Sequence, residues 1–100
     1  MAKTLQEAYT EIKAFINKQG KPYTEWYAGI ASEPEERLFE EHNVTEAKSD
    51  WWIYRECSDE QSARAVKETL IKLGCDGDSG GGDYATVYAY AYLKSANTKP

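Results

Sequence analysis

The sequence predicts a single small α/β domain over residues 1–100, with a three-stranded sheet flanked by three helices. A chain of 100 residues with 41% hydrophobic content has enough apolar side chains for one core and no room for a second. Helix-like and strand-like periodicities alternate along it, in the order helix, strand, helix, strand, helix, strand. The last strand gives the clearest signal, because small residues and tyrosines alternate along its length.

The first helix is predicted over residues 5–19, within an N-terminal unit of residues 1–20. Thr4 and Glu7 have the spacing of a capping box, and Gly20 ends the helix. Apolar residues recur at helical spacing between these ends, at Leu5, Tyr9, Ile12 and Ile16. Residues 25–31 follow as a short strand, in which Gly29 permits a close backbone approach.

The middle of the chain predicts a second helix and an aromatic strand. Ser32 and Glu35 have capping-box spacing, and Pro34 suits the first turn because its missing N–H costs nothing there. The helix is expected over residues 33–42. Residues 50–56 contain two tryptophans and a tyrosine and predict the second strand.

A third helix and a tyrosine-rich strand complete the chain. Ser58 and Gln61 are predicted to cap the helix, and Gly74 ends it. In the strand, residues 84–93, one face is built of small or aliphatic side chains and therefore lets a helix pack closely. The other face carries Tyr84, Thr86, Tyr88, Tyr90 and Tyr92. That tyrosine face is either the second half of the core or a binding platform.

The loop between this helix and strand, residues 75–83, carries two motifs with known chemistry. Its sequence Cys-Asp-Gly-Asp-Ser-Gly-Gly matches the stretch around the nucleophile of chymotrypsin-like serine proteases, which nominates Ser79 as nucleophile and His42 as base. Those enzymes need two β-barrels, and this chain has half the length and several helices. Three aspartates also suggest a cation loop, but the position of the bidentate calcium ligand is Val87. A flexible turn is the simpler interpretation, and cation binding with a partner's help stays open.

The negative charge is concentrated in one segment. The whole chain has a formal net charge of −5, yet residues 33–46 alone hold six acids and one base, Arg37. The rest of the chain is balanced. The six acids are Glu33, Glu35, Glu36, Glu40, Glu41 and Glu46. This segment is either a solvated helix face or an anionic docking surface. The net negative charge of the whole chain argues against a protein that grips nucleic acid mainly by neutralising phosphates.

The remaining composition predicts a cytoplasmic protein with no membrane partner. No apolar run is long enough to span a membrane, and the polar N-terminus lacks the apolar region of a signal peptide. Two cysteines, Cys57 and Cys75, do not form a disulfide framework and fit a reducing compartment.

The stretch from Tyr27 to Leu38, Tyr-Ala-Gly-Ile-Ala-Ser-Glu-Pro-Glu-Glu-Arg-Leu, resembles the second half of the GIY-YIG nuclease core. It has a Tyr-x-Gly strand, a short loop and a helix that bears an arginine ten residues after the tyrosine. A strand and a helix follow in the family's order, so the resemblance covers roughly residues 25–74. It implies phosphodiester hydrolysis at a divalent metal ion, Mg²⁺ or Mn²⁺. Tyr27 would act as base or nucleophile, and Arg37 would stabilise charge on the phosphate.

The sequence departs from the family pattern at three places. Lys67 stands where the metal-binding glutamate belongs, and the adjacent Glu68 is rotated by about 100° around the helix. The family's histidine position is occupied by Glu41, and His42 comes one residue later.

The third departure is the family's first strand, with its own tyrosine, which does not precede Tyr27. The C-terminal strand resembles it in chemistry, so a permuted core is expected in which residues 86–92 pair with residues 26–30. Tyr88 or Tyr90 would then replace the absent tyrosine.

Two functional hypotheses follow. The favoured one is a GIY-YIG-like domain without catalysis or with weak catalysis, such as a small phage-type or accessory protein, that binds a basic nucleic-acid-processing partner through its acidic face. The residues expected to contact the partner are Glu33, Glu36, Glu40 and Glu41. The alternative is a metal-dependent endonuclease that uses Tyr27, Arg37, His42 and Tyr88, with Glu68 on the metal. Arg37 is either a phosphate ligand or an ion-pair partner of its acidic neighbours.

Overall fold

A computed structural model of the protein describes residues 2–42, 44, 51–77, 86–94 and 98. Their arrangement confirms a small α/β domain with a three-stranded antiparallel sheet and three helices. In chain order the elements are α1 (Leu5–Gln19), β1 (Trp26–Ala31), α2 (Pro34–Glu36), a π-helical turn (Arg37–Glu41), β2 (Trp52–Glu56), α3 (Glu60–Lys72) and β3 (Tyr88–Leu93). A short 3₁₀ turn (Tyr23–Glu25) precedes β1.

The C-terminal strand lies in the middle of the sheet. The strand order is β1-β3-β2, and both neighbours are antiparallel to β3. In the register with β1, Tyr92 lies opposite Tyr27 and Tyr90 lies opposite Gly29. The expected pairing of residues 86–92 with residues 26–30 is therefore confirmed from Tyr88 onward. A strand with buried side chains on both faces suits this central position.

Helices α1 and α3 pack together on one face of the sheet. Their buried stripes come from Ala8, Ile12 and Ile16 in α1 and from Ala63, Val66 and Leu70 in α3. The sheet meets them with small side chains, Ala28, Ala89 and Ala91, so the helix backbones approach closely. The prediction that the small-residue face accepts a helix is confirmed.

The opposite face, called here the tyrosine face, is covered by the segment after β1. Leu38 and Val44 from this segment pack on Tyr27, Tyr90 and Tyr92 in a second buried cluster. The sequence left two alternatives for this face, the second half of the core or a binding platform. Tyr90 and Tyr92 are buried and therefore belong to the core. Tyr88 is half-buried, and position 84 lies outside the described residues.

The first predicted helix cap is confirmed and the other two are wrong. Thr4 and Glu7 form the expected reciprocal capping box, with hydrogen bonds of 3.1 and 3.0 Å. The N-cap of α2 is Glu33, with no side-chain capping bond, because Glu35 turns to Tyr54 instead. The N-cap of α3 is Asp59, whose carboxylate accepts from the Ser62 N–H at 2.8 Å.

In the part of the chain that the structure describes, none of the helices has the length and apolar character needed to span a membrane.

Candidate functional site

His42 is held on the tyrosine face between two phenol hydroxyls. Its Nε2 lies 2.7 Å from the Tyr90 hydroxyl, and its Nδ1 lies 3.1 Å from the Tyr92 hydroxyl. A neutral imidazole has one N–H and one lone pair, so it donates to one hydroxyl and accepts from the other. The histidine is only 7% exposed, and both ring nitrogens have protein partners. The three side chains form one buried hydrogen-bonded chain.

Tyr27 completes this group, called here the tyrosine–histidine cluster (Tyr27, His42, Tyr90 and Tyr92). Its ring stacks on Tyr92 with centroids 5.3 Å apart and contacts the His42 ring at 4.8 Å. Burial, and then the neighbouring phenols of Tyr27 and Tyr90, raise the pKa of Tyr92. Its hydroxyl therefore stays protonated at neutral pH and acts as a hydrogen-bonding group.

Gly29 makes room for the cluster. A Cβ atom at this position would lie 2.5 Å from the Tyr90 hydroxyl oxygen and 2.6 Å from its ring carbon Cζ. The close approach predicted at Gly29 is thus made by an aromatic ring that crosses β1. Only a residue without a Cβ lets the Tyr90 hydroxyl reach His42 over this strand.

A π-helical turn delivers His42 to the sheet. The predicted helix over residues 33–42 begins as one α-helical turn and widens from Arg37 onward. The His42 N–H donates to the Arg37 carbonyl five residues back, at 2.9 Å. Pro34, Leu38 and His42 are buried at every fourth position and anchor this segment to the sheet.

The structure brings together only two of the four predicted catalytic side chains. Tyr27 and His42 are in ring contact, whereas Arg37 is half-buried and has its Nε 3.0 Å from Glu41. Tyr88 packs edge-on against Tyr54 at 5.9 Å and is replaced beside His42 by Tyr90 and Tyr92. The sequence places all three tyrosines on one face, but the choice among them depends on the strand register.

The predicted metal ligand lies on the far side of the sheet. Glu68 is exposed on α3, and α3 packs against the face opposite Tyr27 through Val66 and Leu70. Lys67, at the family's glutamate position, is buried. Among the described residues no group of three or more His, Cys, Asp or Glu side chains is placed to hold a metal ion. The residues that the structure describes therefore do not form the Mg²⁺ or Mn²⁺ site that the resemblance implies.

The loop motifs are described only at their start. Asp76 extends the sheet beside β1: its carbonyl accepts from the Ala28 N–H, and its own N–H donates to Trp26, both at 2.8 Å. Its carboxylate lies 3.4 Å from Lys94. The protease nucleophile at Ser79 and the remaining aspartates of the cation loop lie outside the described residues.

An acidic surface covers the outer side of the segment that holds His42. We use this name for Glu33, Glu35, Glu36, Glu40 and Glu41, all of which are exposed. Position 46, the sixth acid of the sequence segment, lies outside the described residues. Arg37 pairs with Glu41 at helical spacing, so the basic charge within this stretch is offset locally.

An aromatic strip, formed by Phe39, Trp52 and Tyr54, borders the acidic surface. The sequence alone did not predict this strip. Phe39 meets Trp52 edge-on at 5.1 Å, and Trp52 lies parallel to Tyr54 at 6.0 Å. The Tyr54 hydroxyl donates to Glu35 at 3.1 Å, and burial together with this carboxylate raises the pKa of Tyr54.

Comparisons of the chain with protein-family models, with curated proteins and with solved structures give no match.

Proposed function

We propose that this chain is a GIY-YIG-like binding domain, without catalysis or with weak catalysis, that engages a basic nucleic-acid-processing protein through its acidic surface. One observation carries the proposal: five carboxylates are exposed on a short segment in which Arg37 is paired with Glu41. Such a surface attracts a basic partner and repels the phosphates of nucleic acid. A small phage-type or accessory protein is the kind of molecule that would use it.

The anchoring of the segment supports this function. Pro34, Leu38 and His42 are buried against the sheet, so the backbone that carries the carboxylates is held in place. A fixed array of charges loses less conformational entropy on binding than a flexible one. The tyrosine–histidine cluster then has a structural role: it holds the segment that carries the acidic surface against the sheet.

The burial of the cluster favours binding over hydrolysis. A general base must come within hydrogen-bond reach of the group that it deprotonates. Tyr90 and Tyr92 are 1% and 0% exposed, and their hydroxyls are already hydrogen-bonded to His42. Tyr27 is 7% exposed and covered by the same segment.

A matched pair of charge reversals tests the binding function. We expect Glu40→Lys to weaken binding of an oligolysine peptide by at least about threefold, because it removes attraction at the acidic surface. Glu25→Lys changes the net charge equally at an exposed position outside this surface and should have a smaller effect. Titration calorimetry at two salt concentrations measures both. Equal effects of the two variants would mean that only net charge matters, and the proposal would fail.

A metal-dependent endonuclease remains a second candidate because Tyr27 and His42 are in contact and the tyrosine strand pairs with β1. Its test is incubation with supercoiled plasmid and single-stranded DNA in Mg²⁺ or Mn²⁺. Cleavage that disappears in both Arg37→Ala and Tyr27→Phe would establish the enzyme and end the binding-only interpretation. Cleavage that persists in both variants would indicate a contaminating nuclease.

A further inference from the structure

We propose that the outer edge of β2 binds an extended segment of the basic partner as an added strand. This inference rests on the proposed function and specifies how the partner is held. Strand addition joins main-chain groups of two chains, so affinity comes from the backbone and specificity from the alternate side chains.

The pairing of β2 with β3 determines which main-chain groups face outward. The Leu93 N–H donates to Trp51 at 2.9 Å, and the Cys57 N–H donates to Val87 at 2.8 Å. Because hydrogen-bonded pairs alternate along an antiparallel ladder, the residues between these two positions alternate in direction. Trp52 and Tyr54 therefore direct their N–H and C=O groups away from β3, toward the outer edge.

Two contacts cap the far end of this edge. The Lys3 N–H donates to the Glu56 carbonyl at 2.7 Å, and Arg55 Nη1 donates to the Tyr54 carbonyl at 2.8 Å. No strand in the part of the chain that the structure describes pairs with the outer side of Trp52. Its N–H and C=O and the Tyr54 N–H are the groups that an incoming strand would pair with. The outer edge of β1, in contrast, is paired with Asp76.

A groove beside this edge can accept side chains of the added strand. It has a volume of about 450 Å³ and is lined by Phe15 from α1 and by Trp52, Ile53, Tyr54 and Arg55 from β2. Side chains of an added strand alternate between the two faces of the sheet. Those on the face of α1 would meet Phe15, and those on the other face would meet the aromatic strip.

The charge around the edge favours a basic segment as the occupant. Glu35 accepts the hydroxyl hydrogen of Tyr54, so the acidic surface begins at this edge. On the α1 side of the edge, Glu11 pairs with both Arg55 and Lys3, so the positive charge there is partly offset. A second copy of the chain would have the same net charge of −5 and would bring its own acidic surface to the contact. The same electrostatics that disfavour self-pairing attract a lysine-rich strand.

The first test uses three synthetic peptides with the unaltered protein, followed by fluorescence anisotropy. The probe alternates lysine and valine, the second peptide has the same sequence with every amide N-methylated, and the third replaces lysine by glutamate. N-methylation keeps the charge but blocks strand pairing along both edges of the peptide. We expect it to weaken binding at least about tenfold, and the acidic peptide to bind at least as weakly. Equal binding of the parent and N-methylated peptides would overturn strand addition, as would failure of the parent peptide to bind.

The second test uses two variants at Tyr54. Tyr54→Pro removes the outward N–H and, since this residue makes no ladder bond to β3, leaves the inner pairing intact. Tyr54→Val loses the same ring and the same contact with Glu35 but keeps the N–H. We expect the proline variant to bind the probe at least about tenfold more weakly than the valine variant. Circular dichroism checks folding, and an unfolded proline variant leaves the peptide series as the deciding measurement.

The outcomes separate this inference from the proposed function. If Glu40→Lys weakens binding of the probe but N-methylation does not, the acidic surface binds basic partners and strand addition is wrong. If N-methylation weakens binding and Glu40→Lys does not, strand addition holds and the role of the acidic surface fails. A concentration-dependent dimer that is lost in Tyr54→Pro, measured by sedimentation, would assign the edge to a second copy and overturn the basic segment as occupant.

Discussion

At the scale of single residues, Gly29 and Tyr90 depend on each other. The Tyr90 ring crosses β1 where a Cβ at position 29 would lie 2.5 Å from its hydroxyl oxygen. An alanine there must displace either the ring or the strand, and Tyr90 would lose its bond to His42. The steric fit at this one position therefore sets the geometry of the tyrosine–histidine cluster.

We predict that Gly29→Ala lowers the free energy of unfolding by about 2–3 kcal/mol, the usual cost of overpacking a core together with a lost buried hydrogen bond. Urea unfolding followed by tyrosine and tryptophan fluorescence measures it. The control is the same change in a Tyr90→Leu background, where the ring is absent and the cost should fall well below that in the parent. An equal cost in both backgrounds would show that the ring is not the cause.

Cys75 makes the stability of the folded protein depend on pH. The thiol is buried and free, and burial raises its pKa from 9.0 to about 11. Between these two values the unfolded chain releases the thiol proton while the folded chain retains it. The folded state is therefore destabilised as the pH rises through this window, and the thiol has no effect on the pH dependence below it.

We predict that the stability of the parent protein falls by about 1–2 kcal/mol more than that of Cys75→Ala between pH 9 and 11, with allowance for solvent screening. Urea unfolding at several pH values in this range gives the two slopes, and measurements at pH 7 and 8 serve as the reference. If the free energy of unfolding falls equally with pH in the two proteins, the pKa of the Cys75 thiol is not raised in the folded state.

At the scale of elements, the sequence predicts the order of helices and strands and both ends of α1 correctly, but it misplaces the starts of α2, α3 and β3. Hydrophobic periodicity extends over many residues, so α1, α3 and β3 stand out from the pattern. A cap depends on one side chain, and Ser58 and Asp59 are both good N-cap residues. The π-helical turn has no signal of its own, because burial of Leu38, His42 and Val44 against the sheet selects the wider turn.

The cap of α3 can be assigned by mutation. Asp59 accepts from Ser62, and these hydrogen bonds lower the pKa of its carboxyl. We predict that Asp59→Ala lowers the melting temperature by several degrees at neutral pH. The difference should diminish as the pH falls below the carboxyl's ordinary value of 3.8, where the unfolded-state group is protonated. Ser58→Ala, one residue away, is the matched control and should leave the melting temperature nearly unchanged.

At the scale of the whole molecule, length and composition predicted one domain, and the described elements form one sheet with a core on each face. The candidate site was predicted less completely. Tyr27 and His42 could be nominated from local motifs, but Glu68 could not be placed without knowing which face of the sheet α3 covers. The roles of Tyr90 and Trp52 depend on strand register and sheet order, which are set by contacts between distant parts of the chain.

The position of β3 in the centre predicts a specific pattern of amide hydrogen exchange. Main-chain groups of Tyr90 and Ala91 face β1 and β2 respectively, so both amides are bonded within the sheet. Their exchange should require global unfolding and be the slowest in the sheet.

In β2, by contrast, the main-chain groups of Ile53 point toward β3 and those of Tyr54 point to the outer edge. The amide hydrogen of Tyr54 should therefore exchange at least about a hundredfold faster than that of Ile53. Exchange measured by NMR in the free protein distinguishes the two residues. A slow Tyr54 amide would show that its outer side is already paired, whereas protection that appears only with the lysine–valine peptide would place the added strand on this edge. The same measurement thus checks the sheet order and the availability of the edge on which partner binding depends.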